Sequence, residues 1–279
     1  RTNTFASNKE TLQEDFAEVE KNIQAAVEIA RDAVNGRDAW IAGDIGPIPV
    51  NGAEDAAAAA DEYYEIAKTF AETGVKVLDF ETFADLDGIL PAIKKIRAEY
   101  DMFIAVSFSV NQFGYSAAGL SAKRLLADAA AVPEIDAVGL NCGVGPAHMR
   151  QILEKAGRPG DKFLLAIPNA GYPTLTRNKL QFGNTPAYFA EKMKELQALG
   201  ADILGGCCGT TPEFIGEMSS WDGILNKIVL DTETDNGEQT GHVQRHGFLY
   251  DENGERKQKK LIAVELAPPF DADDEKLLE

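Results

Sequence analysis

Gly200-Ala-Asp-Ile-Leu-Gly-Gly-Cys-Cys-Gly-Thr-Thr-Pro212 is the stretch of this 279-residue chain from which the fold can be read. Ile203 and Leu204 form a short apolar strand signal that breaks at glycines and ends in two adjacent cysteines. A helix start follows: Thr211 as N-cap, Pro212 at the first helical position, Glu213 in the first turn. Neighbouring side chains on a regular strand point to opposite faces. Cys207 and Cys208 can therefore reach one ion only where the backbone turns irregularly, and Gly205, Gly206 and Gly209 supply that freedom. The chain has three cysteines. The other one, Cys142, also sits at a strand end before a glycine, in Ala137-Val-Gly-Leu-Asn-Cys-Gly143.

The same strand-then-helix unit repeats upstream. Strands are expected at 39–47, 75–83, 102–110, 135–142, 163–168 and 201–206. Each is followed by a helix, the last spanning 211–226. Residues 1–5 read as the end of one more strand, whose beginning lies upstream of Arg1. Ser7 to Glu10 fits a capping box. Leu12, Phe16, Val19, Ile23, Ala26 and Ala30 then recur at steps of three and four, the inner face of one long helix. Tyr63, Ile66, Ala67 and Phe70 mark the inner side of the next. Strict alternation with apolar strands implies parallel strands covered by helices. The count is seven strands, so the expected fold is a (β/α)8 TIM barrel lacking its first strand in this chain. The alternative, an open doubly wound sheet, lacks support because no Gly-x-Gly-x-x-Gly turn follows any strand.

Composition removes several classes of function. The net charge of −18 disfavours nucleic acid and anionic membrane surfaces as partners. No window holds the roughly 18 uninterrupted apolar residues of a membrane helix, and no signal-peptide pattern opens the chain. Three cysteines argue against a disulfide framework and for a reducing compartment, the cytoplasm.

In a barrel the strand ends converge on one rim, where active sites sit. Cys142 ends the sixth strand in barrel numbering, Asn169 the seventh, Cys207 and Cys208 the eighth, and Glu81 the fourth. Read alone, Cys142 fits a buried small hydrophobe. Cys207 and Cys208 alone fit a packed pair or a vicinal disulfide as well as a metal. Glu81 alone fits a solvated carboxylate or a helix cap, and Asn169 a turn residue. With every thiol of the chain on one rim, metal binding is favoured. Three thiolates with a fourth position open make a zinc site. Such an electron-rich zinc activates water poorly but suits a further thiol, held as thiolate near neutral pH. The expected chemistry is alkyl transfer to a thiol. His148 is expected on the surface of a helix, and His242 and His246 in a solvated tail.

Thr2-Asn-Thr-Phe5, Glu81-Thr-Phe83, Gly139-Leu-Asn-Cys-Gly143, Pro168-Asn-Ala-Gly171 and Gly205-Gly-Cys-Cys-Gly-Thr-Thr-Pro212 resemble, in order, the homocysteine S-methyltransferase domain family. That family includes the homocysteine module of methionine synthase. The resemblance covers residues 1–230 and implies zinc-dependent methyl transfer to homocysteine, giving methionine. It implies zinc on Cys142, Cys207 and Cys208, with the substrate sulfur as fourth ligand. It also implies Glu81 on the substrate amino group and Asn169 as an exchangeable oxygen ligand. The betaine-using branch has a tyrosine after the glutamate, where this chain has Thr82. The methyl donors to consider are 5-methyltetrahydrofolate, S-methylmethionine, S-adenosylmethionine and methylcobalamin. The family's Asp-Gly motif, at the end of its first strand, is missing here.

Beyond residue 230 the character changes. Residues 231–260 read as a linker or hairpin. Residues 261–279 carry Leu261-Ile-Ala-Val-Glu-Leu-Ala-Pro-Pro-Phe270, similar to the opening strand of methylenetetrahydrofolate reductase. This resemblance implies a fused reductase domain in a parent protein and methyltetrahydrofolate as a candidate methyl source. The missing first strand leaves a truncated zinc- and homocysteine-binding module without turnover as the alternative function.

Overall fold

A computed structural model describes residues 1–176, 179–219 and 261–264. The elements run α1 (Lys9–Leu12), α2 (Phe16–Val34), β1 (Ala42–Ile45), α3 (Ala53–Glu72), β2 (Val77–Phe83), α4 (Leu90–Glu99), β3 (Phe103–Phe108), α5 (Ala122–Ala130), β4 (Ala137–Asn141), α6 (Pro146–Ala156), β5 (Phe163–Ile167), β6 (Pro173–Thr176), β7 (Lys179–Phe182), α7 (Pro186–Ala198), β8 (Ile203–Gly206), α8 (Pro212–Ser219) and β9 (Leu261–Val264). Parallel pairing runs in the order β1-β2-β3-β4-β5-β8-β9. The six strands β1 to β5 and β8 curl into a partial barrel with helices outside, as the strand–helix alternation predicts. The antiparallel hairpin β6–β7, which the sequence reading missed, is inserted between β5 and α7.

The strands are buried on both faces, which explains their near-continuous apolar character. On β2, Leu78 and Phe80 face the helices and belong to the large outer core. Val77 faces inward and packs with Phe103, Ala105, Ala137, Phe163, Leu165, Ile167, Ile203 and Cys207. By the same period of two, Asp79 and Glu81 share the inward face with Val77. The stripe expected on α3 is in place, with Tyr63, Ile66, Ala67 and Phe70 buried, and the one on α2 in part: Val19 and Ile23 are buried, but Val27 is buried further on while Ala26 and Ala30 are half-buried.

Two local expectations are corrected. The single long helix is two. Asn8, not Ser7, caps α1, its Oδ1 accepting from the Thr11 N–H at 2.8 Å. The chain then turns left-handed at Gln13 (φ 56°), and Asp15 caps α2 by accepting from the Glu18 N–H. A second good cap residue two positions on competes with continuing the first helix. Residues 1–5 do not form a regular strand. Instead the Thr2 N–H donates to Ala42 O (2.9 Å), and the Asp44 N–H donates to Thr2 Oγ1 (3.0 Å). The Thr4 hydroxyl donates to Asp44 O (2.7 Å). Threonine side chains thus stand in for ladder bonds along the outer edge of β1.

At the other edge, β9 pairs in parallel with β8, from Ile203↔Leu261 to Gly206↔Val264. The segment expected to open a second domain lies, in this structure, against the strand that precedes Cys207. The expected turn at 251–254, His242 and His246 fall outside the described residues.

Candidate metal centre

Three strand ends build the centre. Cys142 follows β4 directly, with left-handed backbone (φ 54°), and Gly143 continues that conformation (φ 69°). The turn is tight: the Val144 N–H donates to Cys142 O at 2.7 Å. A Cβ on Gly143 would lie 2.2 Å from Val110 O, so only glycine fits there. Cys207 and Cys208 follow β8, and Gly209 (φ 78°) sits against the ring of Phe182 at the end of β7. Of the glycines expected to free this turn, Gly209 is the one with left-handed backbone. The Thr210 N–H and hydroxyl both donate to Cys207 O (3.1 and 2.7 Å).

The loop after β5 joins the other two. Cys142 N–H donates to Ile167 O (3.0 Å), and Asn169 N–H to Val144 O (3.0 Å). Cys207 N–H donates to Pro168 O (2.9 Å), and Ala170 N–H to Cys208 O (2.9 Å). These four bonds lock three loops into one surface. The Sγ atoms of Cys142, Cys207 and Cys208 all lie within 4.8 Å of one another, and Cys142 and Cys208 are 3.7 Å apart. None of the three forms a disulfide.

The donor set fits zinc. Sulfurs at about 2.3 Å from a tetrahedral ion stand about 3.8 Å from each other, close to the spacing observed. Among the described residues, Asn169 Oδ1 is buried without a hydrogen-bond partner, as a neutral oxygen ligand awaiting a cation would be. The Cys142 thiol is pushed down to about 3. Hydrogen bonds from Cys207, then Cys208, favour its thiolate; burial opposes them, and Gly143 and Asn169 assist.

A polar cluster lies on the inner face beside this centre. Glu81 is in β2 rather than at its end, at a register shift between Phe80 and Phe83. Arg1 pairs with Asp79 (Nε–Oδ2 2.9 Å) and with Glu81, and all three side chains are almost fully buried. Burial raises the Asp79 carboxyl above its ordinary range; Arg1 offsets this, and the Glu81 charge adds to it. Asn141, fully buried and adjacent to Cys142, donates from Nδ2 to Glu81 Oε2 (2.9 Å). The sequence reading missed Arg1, Asp79 and Asn141. The Asp79-x-Glu81 spacing was the available signal, since residues two apart on a strand share a face. His148, expected on the surface, is half-buried in α6, its ring edge-on to Tyr172 at 5.3 Å.

Among the described residues, no helix is long and apolar enough to cross a membrane. The profile of the homocysteine S-methyltransferase family matches residues 1–221. The chain is 29% identical over 235 residues to the methionine synthases of Mycobacterium tuberculosis and Mycobacterium leprae. Those matches cover 78% of this chain but only 20% and 19% of the two relatives, so the chain spans about a fifth of their length. In fold it is similar to the homocysteine methyltransferase MmuM from Escherichia coli. The oxidized and metallated forms of MmuM each superpose with a TM-score of 0.63, at 20% and 19% identity, over 78% of this chain and 77% of theirs. The motif order, the partial barrel and the clustered thiols agree with the profile: this chain belongs to the homocysteine S-methyltransferase family.

Proposed function

We propose that this chain transfers a methyl group to the thiol of homocysteine, giving methionine. Cys142, Cys207 and Cys208 would hold zinc, with Asn169 as an exchangeable oxygen ligand, and Glu81 would hold the substrate amino group. The observation that carries this reading is the convergence of three cysteine sulfurs, none in a disulfide, beside the buried, unpartnered Asn169 Oδ1. Zinc bound there would supply a Lewis acid that keeps a fourth, incoming thiol deprotonated near neutral pH.

The residues of the chain do the rest. The cross-loop bonds preset the sulfur positions, so little ordering remains for binding. The buried Glu81 carboxylate, fixed by Asn141 and balanced by Arg1, offers an acceptor to an ammonium group. The reaction balances as thiol plus methyl donor giving thioether and demethylated donor, the thiol proton passing to N5 when the donor is the folate and to solvent when it is a sulfonium or methylcobalamin. The sulfur lone pair forms the new S–C bond as the donor–methyl bond breaks. Donor identity is the open choice among 5-methyltetrahydrofolate, S-methylmethionine, S-adenosylmethionine and methylcobalamin. The resemblance of the tail to a reductase strand favours the folate. Three cysteines without a disulfide suit a reducing compartment such as the cytoplasm.

The test is metal analysis followed by a methionine assay with each donor. The expected result is one zinc per chain, lost in Cys207→Ser, and homocysteine-dependent methionine formation with one donor. Zinc and homocysteine binding without turnover would instead identify a binding module. Unchanged zinc affinity in Cys207→Ser would overturn the site.

A further inference from the structure

We propose that Asn141 is a positioning residue that fixes Glu81 relative to Cys142 and so makes the site selective for a thiol bearing an amino group. The proposal rests on the homocysteine reading and deepens it.

An amide side chain has two N–H donors and two acceptor lone pairs. Asn141 uses all four. Nδ2 donates to Glu81 Oε2 (2.9 Å) and to Thr82 Oγ1 (2.6 Å). Oδ1 accepts from the Thr82 N–H (2.8 Å) and from the Ser107 hydroxyl (3.0 Å). Rotating the amide by half a turn would set its NH2 against the Thr82 N–H, so one orientation is enforced. The residue is fully buried and ties three neighbouring strands together, β2, β3 and β4.

The backbone around it is under load. Thr82 is β-branched yet left-handed, with φ 67°. Such a residue avoids this conformation unless its surroundings hold it there. The turn falls where the β2–β3 register shifts between Phe80 and Phe83, and irregularities of this kind re-aim side chains. Asn141 bonds both the N–H and the hydroxyl of Thr82, and with the same amide it bonds the carboxylate one residue earlier. On its other side it continues directly into Cys142, also left-handed. The carboxylate and one of the three thiols therefore hang from one rigid amide. The distance between an ammonium on Glu81 and a sulfur at the thiol cluster is set by that unit, which two independent loops would not achieve.

The test compares two thiols on the zinc-loaded chain by titration calorimetry: homocysteine and 4-sulfanylbutanoate, which is homocysteine without the amino group. Wild type should bind homocysteine tenfold or more tightly, as a charge-assisted hydrogen bond in a buried site requires. In Asn141→Ala that preference should fall to about threefold or less, while zinc stoichiometry and the affinity for 4-sulfanylbutanoate stay within about twofold. A role confined to folding would weaken both thiols and zinc together, and that result overturns the proposal, as does an unchanged preference. If Asn141→Ala does not fold, the same change goes into a Thr82→Gly background, where glycine adopts the left-handed turn without an anchor. The same loss of preference is expected there, and its retention overturns the proposal. A wild type with no preference for the amino group removes the homocysteine reading itself, a result distinct from any seen only in the variant.

Discussion

Gly143→Ala and Gly209→Ala make the same chemical change beside the two halves of the thiol set, yet the structure assigns them different costs. Both positions have left-handed backbone, φ 69° and 78°, which costs an L-residue roughly 1–2 kcal/mol. A Gly→Ala change returns about 0.4–1 kcal/mol by restricting the unfolded chain. The difference lies in what the new methyl meets. At Gly143 it would stand 2.2 Å from the backbone oxygen of Val110, just beyond β3, and 3.1 Å from the Ser109 hydroxyl. A carbonyl there cannot swing aside without moving the strand end, so an overpacking cost of about 1–3 kcal/mol is added. Together these terms come to about 1–4.6 kcal/mol, a factor of roughly 5 to 2,000 in the folding equilibrium at 1.4 kcal/mol per tenfold. At Gly209 the methyl would meet the Phe182 ring, also at 2.2 Å, but a side chain at the end of a hairpin can rotate. The cost there should be about 1–2 kcal/mol. Adding Phe182→Ala should relieve part of it, giving a coupling of about 1 kcal/mol in a double-mutant cycle. Urea unfolding of the metal-free chain measures all four variants, and chelator competition measures zinc affinity. Zinc affinity should fall with Gly143→Ala, because the strain sits on the residue after Cys142. The reasoning fails if Gly143→Ala lies within about 0.5 kcal/mol of wild type. It also fails if Phe182→Ala leaves the cost of Gly209→Ala unchanged.

Two further outcomes follow from ionisation. Because neighbouring thiols push Cys142 down to about 3, the metal-free chain should alkylate there first with iodoacetamide. Peptide mapping at pH 5, where an ordinary thiol is protonated, should find Cys142 modified; equal labelling of all three cysteines would refute this. Burial chiefly raises Asp136 above the ordinary 3.8, with Arg97 opposing. An acid with a raised folded pKa binds more protons folded than unfolded, so its contribution to stability is largest below pH 4 and declines as pH rises toward that folded value. Stability of wild type minus that of Asp136→Asn should therefore shrink as pH rises from 4; a growing difference would reverse the assigned sign.

The fold class was legible because its signals are local. Each apolar strand of β1 to β5 and β8 is followed along the chain by a helix with its own local start signal, as at Thr211-Pro212, even where the β6–β7 hairpin intervenes after β5. The placement of every thiol at a strand end was legible for the same reason, and a parallel barrel sends all such ends to one rim. Glu81 could be assigned to that rim but not to the register shift that aims it.

What the tertiary structure alone decided depends on partners far apart in sequence. Asn141 reads as a plain polar residue until β2 brings Glu81 and Thr82 to it and β3 brings Ser107. Arg1 is one more charged residue until it lies beside Asp79 and Glu81. The break at Gln13 turned on a competition between two caps, Asn8 and Asp15, that helical periodicity cannot rank. The pairing of Leu261–Val264 with β8 is a choice of sheet edge, which no local pattern encodes. The thiols at 142, 207 and 208 meet because the 168–170 loop accepts from Cys207 and donates to Cys208 while its neighbours bond Cys142 and Val144. Spacing along the chain predicts which residues can share a rim. Only those cross-loop hydrogen bonds bring three sulfurs within reach of one ion.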